Sequence, residues 1–182
     1  MIEQLAAALR PFLELPMVRR TRRNHGLEHA TIHVLSGRVK NLRMSGRSTD
    51  AGFFLFGDVP TEMIENAARD ALRRMRGGEH GLALHPNCGT NYVTAGALTT
   101  FVALLTMGIG PRRSVLERVP LVMLLMILAV LFAQPLGMSL QKHITTEGDP
   151  GDLEIVEITR RETRLPLGDQ TMIVHTVRTQ SS

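Results

Sequence analysis

A chain of 182 residues has room for one ordinary domain, or for a smaller one with a membrane anchor. Its single cysteine, Cys88, excludes an intramolecular disulfide and suits a reducing compartment. The net charge of +4 suits nucleic acid or an anionic membrane surface, but only 4% of residues are aromatic and no helix-turn-helix emerges, so nucleic acid is not expected as a partner.

Residues 1–16 form the first section, with an amphipathic helix predicted over 2–15: Ile2, Leu5, Leu9 and Phe12 recur at spacings of three and four. Arg10 and Pro11 break its apolar run, and no signal-peptide cleavage site follows. The cluster Arg19, Arg20, Arg22 and Arg23 comes next. Two readings stay open: the helix lies on anionic lipid with the arginines at the headgroups, or it packs on a core and the arginines form a solvated run.

Residues 17–91 read as a small α-β-β-α-β domain. A helix is predicted over 17–36, with Pro16 in its first turn and Gly37 just past its end. "RVKNLRMSG" and "AGFFLFGDV" are β-prone runs with "RSTD" as the turn between them. "PTEMIENAARDALRRM" is a helix whose early acids and late arginines match the helix dipole. "HGLALH" alternates around Leu82 and Leu84 and is expected as a third strand.

Residues 92–140 are predicted to be a transmembrane hairpin. "NYVTAGALTTFVALLTMGIG" and "VPLVMLLMILAVLFAQPLGMSL" are each about 20 residues long without a charge, and "PRRSVLER" joins them. The sections before and after the hairpin then share one side of the membrane. Loop arginines Arg112, Arg113 and Arg118 oppose Arg73, Arg74, Arg76 and Lys142 and do not set the orientation. The polar sections are expected in the cytoplasm. The tail, 141–182, reads as a β-hairpin, "DLEIVEITRRET" and "TMIVHTVRT" around "LPLGDQ", that extends the first sheet.

The chemistry concentrates in "NHGLEHATIH". Positions four apart nearly eclipse on a helix, so His25 and His29 share a face, with Glu28 at its edge. Two imidazoles can hold Zn²⁺ while a neighbouring carboxylate takes a proton from bound water. His33 lies about 80° round from His25 and is expected beside the site rather than in it. Leu27, Ala30 and Val34 form the packing face. Downstream, "HPNCG" sets His85 and Cys88 three apart. It reads either as a turn capping the first span or as further ligands, with a thiolate favouring a closed structural site and Cys88 alone a possible nucleophile. His80, His143 and His175 are expected outside any site.

His25-Gly26-Leu27-Glu28-His29 resembles the inverted H-x-x-E-H motif of the inverzincin zinc peptidases. The resemblance implies His25 and His29 as ligands, Glu28 as the base, and a third ligand glutamate from a later helix. Glu65 and Glu79 are the downstream acids nearest that role, and neither stands at the family's spacing. At the scale of the whole chain, "NHGLEHATIHVL", "DAGFFLFGDV" and "ALHPNCGTN" before two spans resemble an uncharacterised family of small bacterial membrane proteins of cyanobacterial and Chloroflexi type. That resemblance implies a multi-pass protein of the bacterial inner membrane and carries no activity.

The expected fold class is thus α+β, a helix and antiparallel-sheet domain interrupted by a two-helix hairpin. The expected function is a membrane-anchored zinc hydrolase acting near the bilayer, with His25, His29, His85 and Cys88 as metal residues and Glu28 as base. The alternative is a non-enzymatic membrane-bound accessory or assembly subunit with a closed metal site or a buried histidine network. The bilayer is the expected partner, with room for a membrane-protein partner or a second copy.

Overall fold

The computed structural model describes residues 1–108, 115–164 and 171–182. It divides into two units, 1–85 with 142–182 and 86–141. The connecting residues Arg112 and Arg113, and the "LPLGDQ" turn, lie outside the described residues.

The first unit is α+β. Helices α1 (Ile2–Ala8) and α2 (Arg10–Leu13) lead into the long α3 (Pro16–Arg38). Strands β1 (Ser45–Thr49) and β2 (Gly52–Phe56), helix α4 (Thr61–Arg76) and a 3-10 turn (His80–Ala83) follow. After the second unit come β3 (Glu154–Arg164) and β4 (Thr171–Gln180). The four strands form one antiparallel sheet in the order β1-β2-β4-β3.

Strand alternation puts Phe53, Leu55 and Val177 on the sheet's inner face, where they are buried. The apolar stripes of α3 (Leu27, Ala30, Val34, Leu35) and α4 (Ile64, Ala67, Ala71, Met75) close over them as one core. Pro16 opens α3 at a position where its missing N–H costs nothing. Gly37 is inside the helix, which runs on to Arg38. The predicted N-terminal helix breaks at Leu9, ahead of Pro11.

Two strand expectations change. The first hairpin shifts along the chain: Arg47, Ser48 and Thr49, expected as turn, belong to β1, and Asp50–Ala51 make the turn. The shift places Gly46 and Ser48 on the inner face opposite Leu55 and Phe53, so that face can admit a polar group from α3. "HGLALH" is no strand. Its first four residues make the 3-10 turn against α3, and the sheet takes its remaining strands from the tail. Alternation over so few residues does not separate a strand from a turn.

The arginine cluster is only half solvated. Arg22 donates from Nε to the Ile144 carbonyl (2.8 Å) and from Nη2 to that of Thr146 (3.2 Å), beside the Glu147 carboxylate. Arg23 is buried and donates to Asp152 at 2.7 Å. Asn24, with no exposed surface, bonds the Thr49 carbonyl and accepts from Thr179. Three consecutive residues of α3 therefore clamp the tail to the domain.

The second unit pairs α5 (Gly89–Gly108) with α6 (Val115–Leu140), and the helix continues as a wider turn, Gln141–Thr145, into the first unit. Among the described residues one helix, Glu117–Thr145, is long and apolar enough to cross a membrane, where two were expected. Thr90, Asn91, Thr94, Thr99, Thr100 and Thr106 dilute the apolar character of α5. Only 11% of the apolar stretch of the Glu117–Thr145 helix is buried within the chain. Asn91 ties the pair together, donating to the Pro86 carbonyl at 2.6 Å and accepting from Gln141 at 2.9 Å.

Gly26 marks a close approach of the tail to α3. A Cβ there would overlap the Glu147 carbonyl oxygen and press on Ala83 Cβ at 3.2 Å, whereas one at Gly37 would meet nothing. Gly26→Ala is expected to lower stability by about 1–3 kcal/mol through overpacking. Gly37→Ala should be neutral or stabilising by helix propensity. Thermal unfolding of the two variants in detergent measures the contrast, and equal melting temperatures would contradict this packing.

Candidate functional site

His25, His29 and His33 stand four apart on α3, and each ring meets a backbone carbonyl from outside the helix. His25 Nδ1 lies 2.9 Å from the Thr145 oxygen, His29 Nδ1 2.7 Å from that of Ala83, and His33 Nε2 2.8 Å from that of Leu84. A carbonyl oxygen only accepts, so the ring nitrogen at each contact carries the proton. In the neutral rings the lone pair then falls on Nε2 of His25 and His29 and on Nδ1 of His33. Metal-bound histidines are held in this way, with one nitrogen donating to a carbonyl and the other left for the ion.

The rings cluster. His25 and His29 pack edge to face with centroids 4.4 Å apart. His85 joins them, 5.7 Å from His29 and 4.9 Å from His33. Burial, then the neighbouring His33 and His29, lower the His85 pKa to about 4, so its ring is neutral near pH 7 with a lone pair of its own. The structure thus brings together His25, His29 and His85 and adds His33, which spacing on a helical wheel had set aside. The signal for His33 was its place in the four-residue series. What the wheel omits is the 80–85 segment, which follows α3 and carries His85 to the flank of His33.

Glu28 is buried and takes a different direction. Its carboxylate accepts a short hydrogen bond from the Ser48 hydroxyl and lies directly against Gly46 on β1. A Cβ at Gly46 would occupy the carboxylate's place. Burial raises the Glu28 pKa; the Ser48 bond and the nearby His25 oppose it. His25 is thus its electrostatic neighbour, while Ser48 is its hydrogen-bond partner.

Glu65, Glu79, His143 and His175 have other surroundings. Glu65 pairs with Arg69 and Glu79 with Arg74, both on the exposed side of the helix, so neither serves the histidines. His143 faces Glu3 at 3.5 Å. His175 is buried in the sheet opposite Leu55 and Arg160, and burial lowers its pKa. Cys88 belongs to the second unit, where it is buried and its sulfur accepts from the Thr90 N–H at 3.4 Å.

Residues 20–158 match the domain of unknown function DUF6391. The chain belongs to that family. It is 36% identical to an uncharacterized protein of the cyanobacterium Picosynechococcus sp., over 75% of this chain and 70% of the relative. No solved structure matches it. The family match spans α3, the 3-10 turn, His85 and the first residues of the tail, and so contains every carbonyl that orients a histidine of the cluster.

The His85 shift has a defined sign. Between about pH 4 and 6.5 the unfolded chain holds a proton that the folded ring does not, so stability falls as pH drops through that window. In chelator, the wild type should lose more stability than His85→Gln on going from about pH 7 to 4. Parallel unfolding curves for the two proteins would show that His85 contributes no such linkage.

Proposed function

We propose that this DUF6391 protein is a membrane-anchored, zinc-dependent hydrolase acting on a peptide bond close to the bilayer. The observation that carries the reading is the set of oriented imidazoles: His25 and His29 each turn Nδ1 to a backbone carbonyl, and their rings cluster with that of His85. Three neutral imidazoles suit Zn²⁺ and leave one position of a tetrahedral shell for water. Zinc bound there supplies a water of lowered pKa. Glu28, its pKa raised by burial and next to His25 electrostatically, is the group to take the proton. The Ser48 bond and the Gly46 surface hold its carboxylate in one orientation.

The anchor in this reading is the pair α5 and α6, both crossing the bacterial inner membrane, with the first unit on the cytoplasmic side. The many exposed apolar side chains of both helices support it, Phe101 and Leu104 on α5 and Leu131 and Phe132 on α6 among them. Cys88, three residues beyond His85, is the candidate fourth donor on sequence spacing, and as a ligand it would close the shell and favour the structural reading over the hydrolase.

A second reading rests on Glu28 itself. Its carboxylate already has a partner in Ser48 and faces the sheet. A structural histidine site in an accessory or assembly subunit needs no base, and Glu28 would then be a buried tie between α3 and β1.

Metal analysis of the detergent-purified chain decides first: about one zinc per chain is expected, falling at least tenfold in His25→Ala and His29→Ala. Metal-free protein that neither binds added zinc nor gains stability from it would end the hydrolase reading. Glu28→Gln is expected to keep its metal and lose peptide hydrolysis by about a hundredfold or more. Retained hydrolysis would remove Glu28 as base, while bound metal with no hydrolysis in the wild type would favour the structural reading. Cys88→Ser tests the fourth donor, since unchanged zinc affinity would leave the fourth position to water.

A further inference from the structure

The first two helices have almost no partner within the protein. No residue of α1 is buried, and Leu13 is the only buried residue of α2. Leu5, Leu9 and Phe12, spaced four and three apart, are 46%, 37% and 57% exposed, and Leu15 and Met17 extend the apolar strip at 48% and 60%. Folding in water does not leave a strip of large apolar residues uncovered without a second environment to receive it.

The neighbouring charges and the chain path say which environment. Arg10, Arg19 and Arg20 flank the strip and are not taken up by the tail, as Arg22 and Arg23 are. Beside the strip runs an apolar groove of about 280 Å³, lined by Phe12, Leu13, Met17 and Val18 from this end of the chain and by Ile144 and Thr145. Ile144 and Thr145 are the last residues of the apolar helix Glu117–Thr145. A helix that crosses a bilayer delivers its final residues to the bilayer surface, so the groove and the strip beside it are carried there by the chain itself.

We propose that residues 2–17 form an interfacial anchor lying in the headgroup region of an anionic phospholipid bilayer. Leu5, Leu9, Phe12 and Met17 enter the acyl boundary, the groove takes the upper part of an acyl chain, and Arg10, Arg19 and Arg20 meet lipid phosphates. Helices of this type lie about 5–10 Å deep, and each basic residue near an anionic surface strengthens the attachment. Glu14 faces Arg19 at 3.7 Å and offsets part of its charge, while Glu3 faces His143, so Arg10 and Arg20 keep their charge for the phosphates. The inference rests on the membrane reading of α6 and is independent of the histidine chemistry.

The chain has no tryptophan, so one can be introduced as a unique probe. The experiment reconstitutes full-length Phe12→Trp into nanodiscs with or without phosphatidylglycerol, using lipids brominated high on the acyl chain. Met17→Trp serves as a second probe of the strip and Val156→Trp, on β3, as the reference. In anionic discs the Phe12 and Met17 probes should lose about half their emission or more to the bromines, and the Val156 probe should not. Equal quenching in neutral discs would overturn the anionic surface. No quenching in either disc would overturn the anchor, and a blue-shifted but unquenched probe would assign the strip to a second copy of the chain. Alkaline extraction of the same preparations reads α6 separately: a chain that is released yet quenched has lost the span and kept the anchor.

Discussion

The structure depends on proton donation from the side chains of α3 to carbonyls brought in from distant parts of the chain. His25 reaches Thr145, His29 reaches Ala83, His33 reaches Leu84, and Arg22 reaches Ile144 and Thr146. These donors satisfy carbonyls of two segments, 83–84 and 144–146, that lie against the helix. A buried carbonyl left unpaired costs about 1–3 kcal/mol, so the polar face of α3 is as necessary to the fold as its apolar face.

The same contacts connect fold to chemistry. A histidine that donates to a carbonyl is fixed in ring orientation and in tautomer, and its second nitrogen then faces one direction. Structural ties and ligand preparation are therefore one set of bonds here. Gly26 is the point where this is geometrically enforced, because the tail passes so close to α3 that no side chain fits between them. Gly46 does the same on the other side of the helix, leaving room on β1 for the Glu28 carboxylate.

The arginines show how one residue type is divided by its surroundings. Arg22 and Arg23 are buried and clamp the C-terminal segment, while Arg19 remains at the surface next to the exposed apolar strip. In sequence the four form one run. Arg19, Arg22 and Arg23 stand three and four apart and share a face of α3, so what separates Arg19 from the buried pair is where the tail returns.

By itself the sequence determined what local periodicity and composition control: the α3 and α4 helices, the packing stripe of Leu27, Ala30 and Val34, the shared face of His25 and His29, and the apolar character of α6. These follow from side-chain spacing and need no partner to be recognised. Short segments were beyond its reach. "HGLALH" alternates as a strand does but is a 3-10 turn, because its carbonyls are used by the histidines of α3 rather than by a neighbouring strand. "RST" has the composition of a turn but belongs to β1, because β2 beside it supplies the ladder bonds and Glu28 fills the space over Gly46. Only the tertiary structure decided that His33 stands beside His85, that Glu28 faces Ser48, and that Arg22 and Arg23 are buried. In each case the partner lies 20 or more residues away, and the free energy that selects the arrangement comes from satisfying a buried polar group, which local pattern does not record.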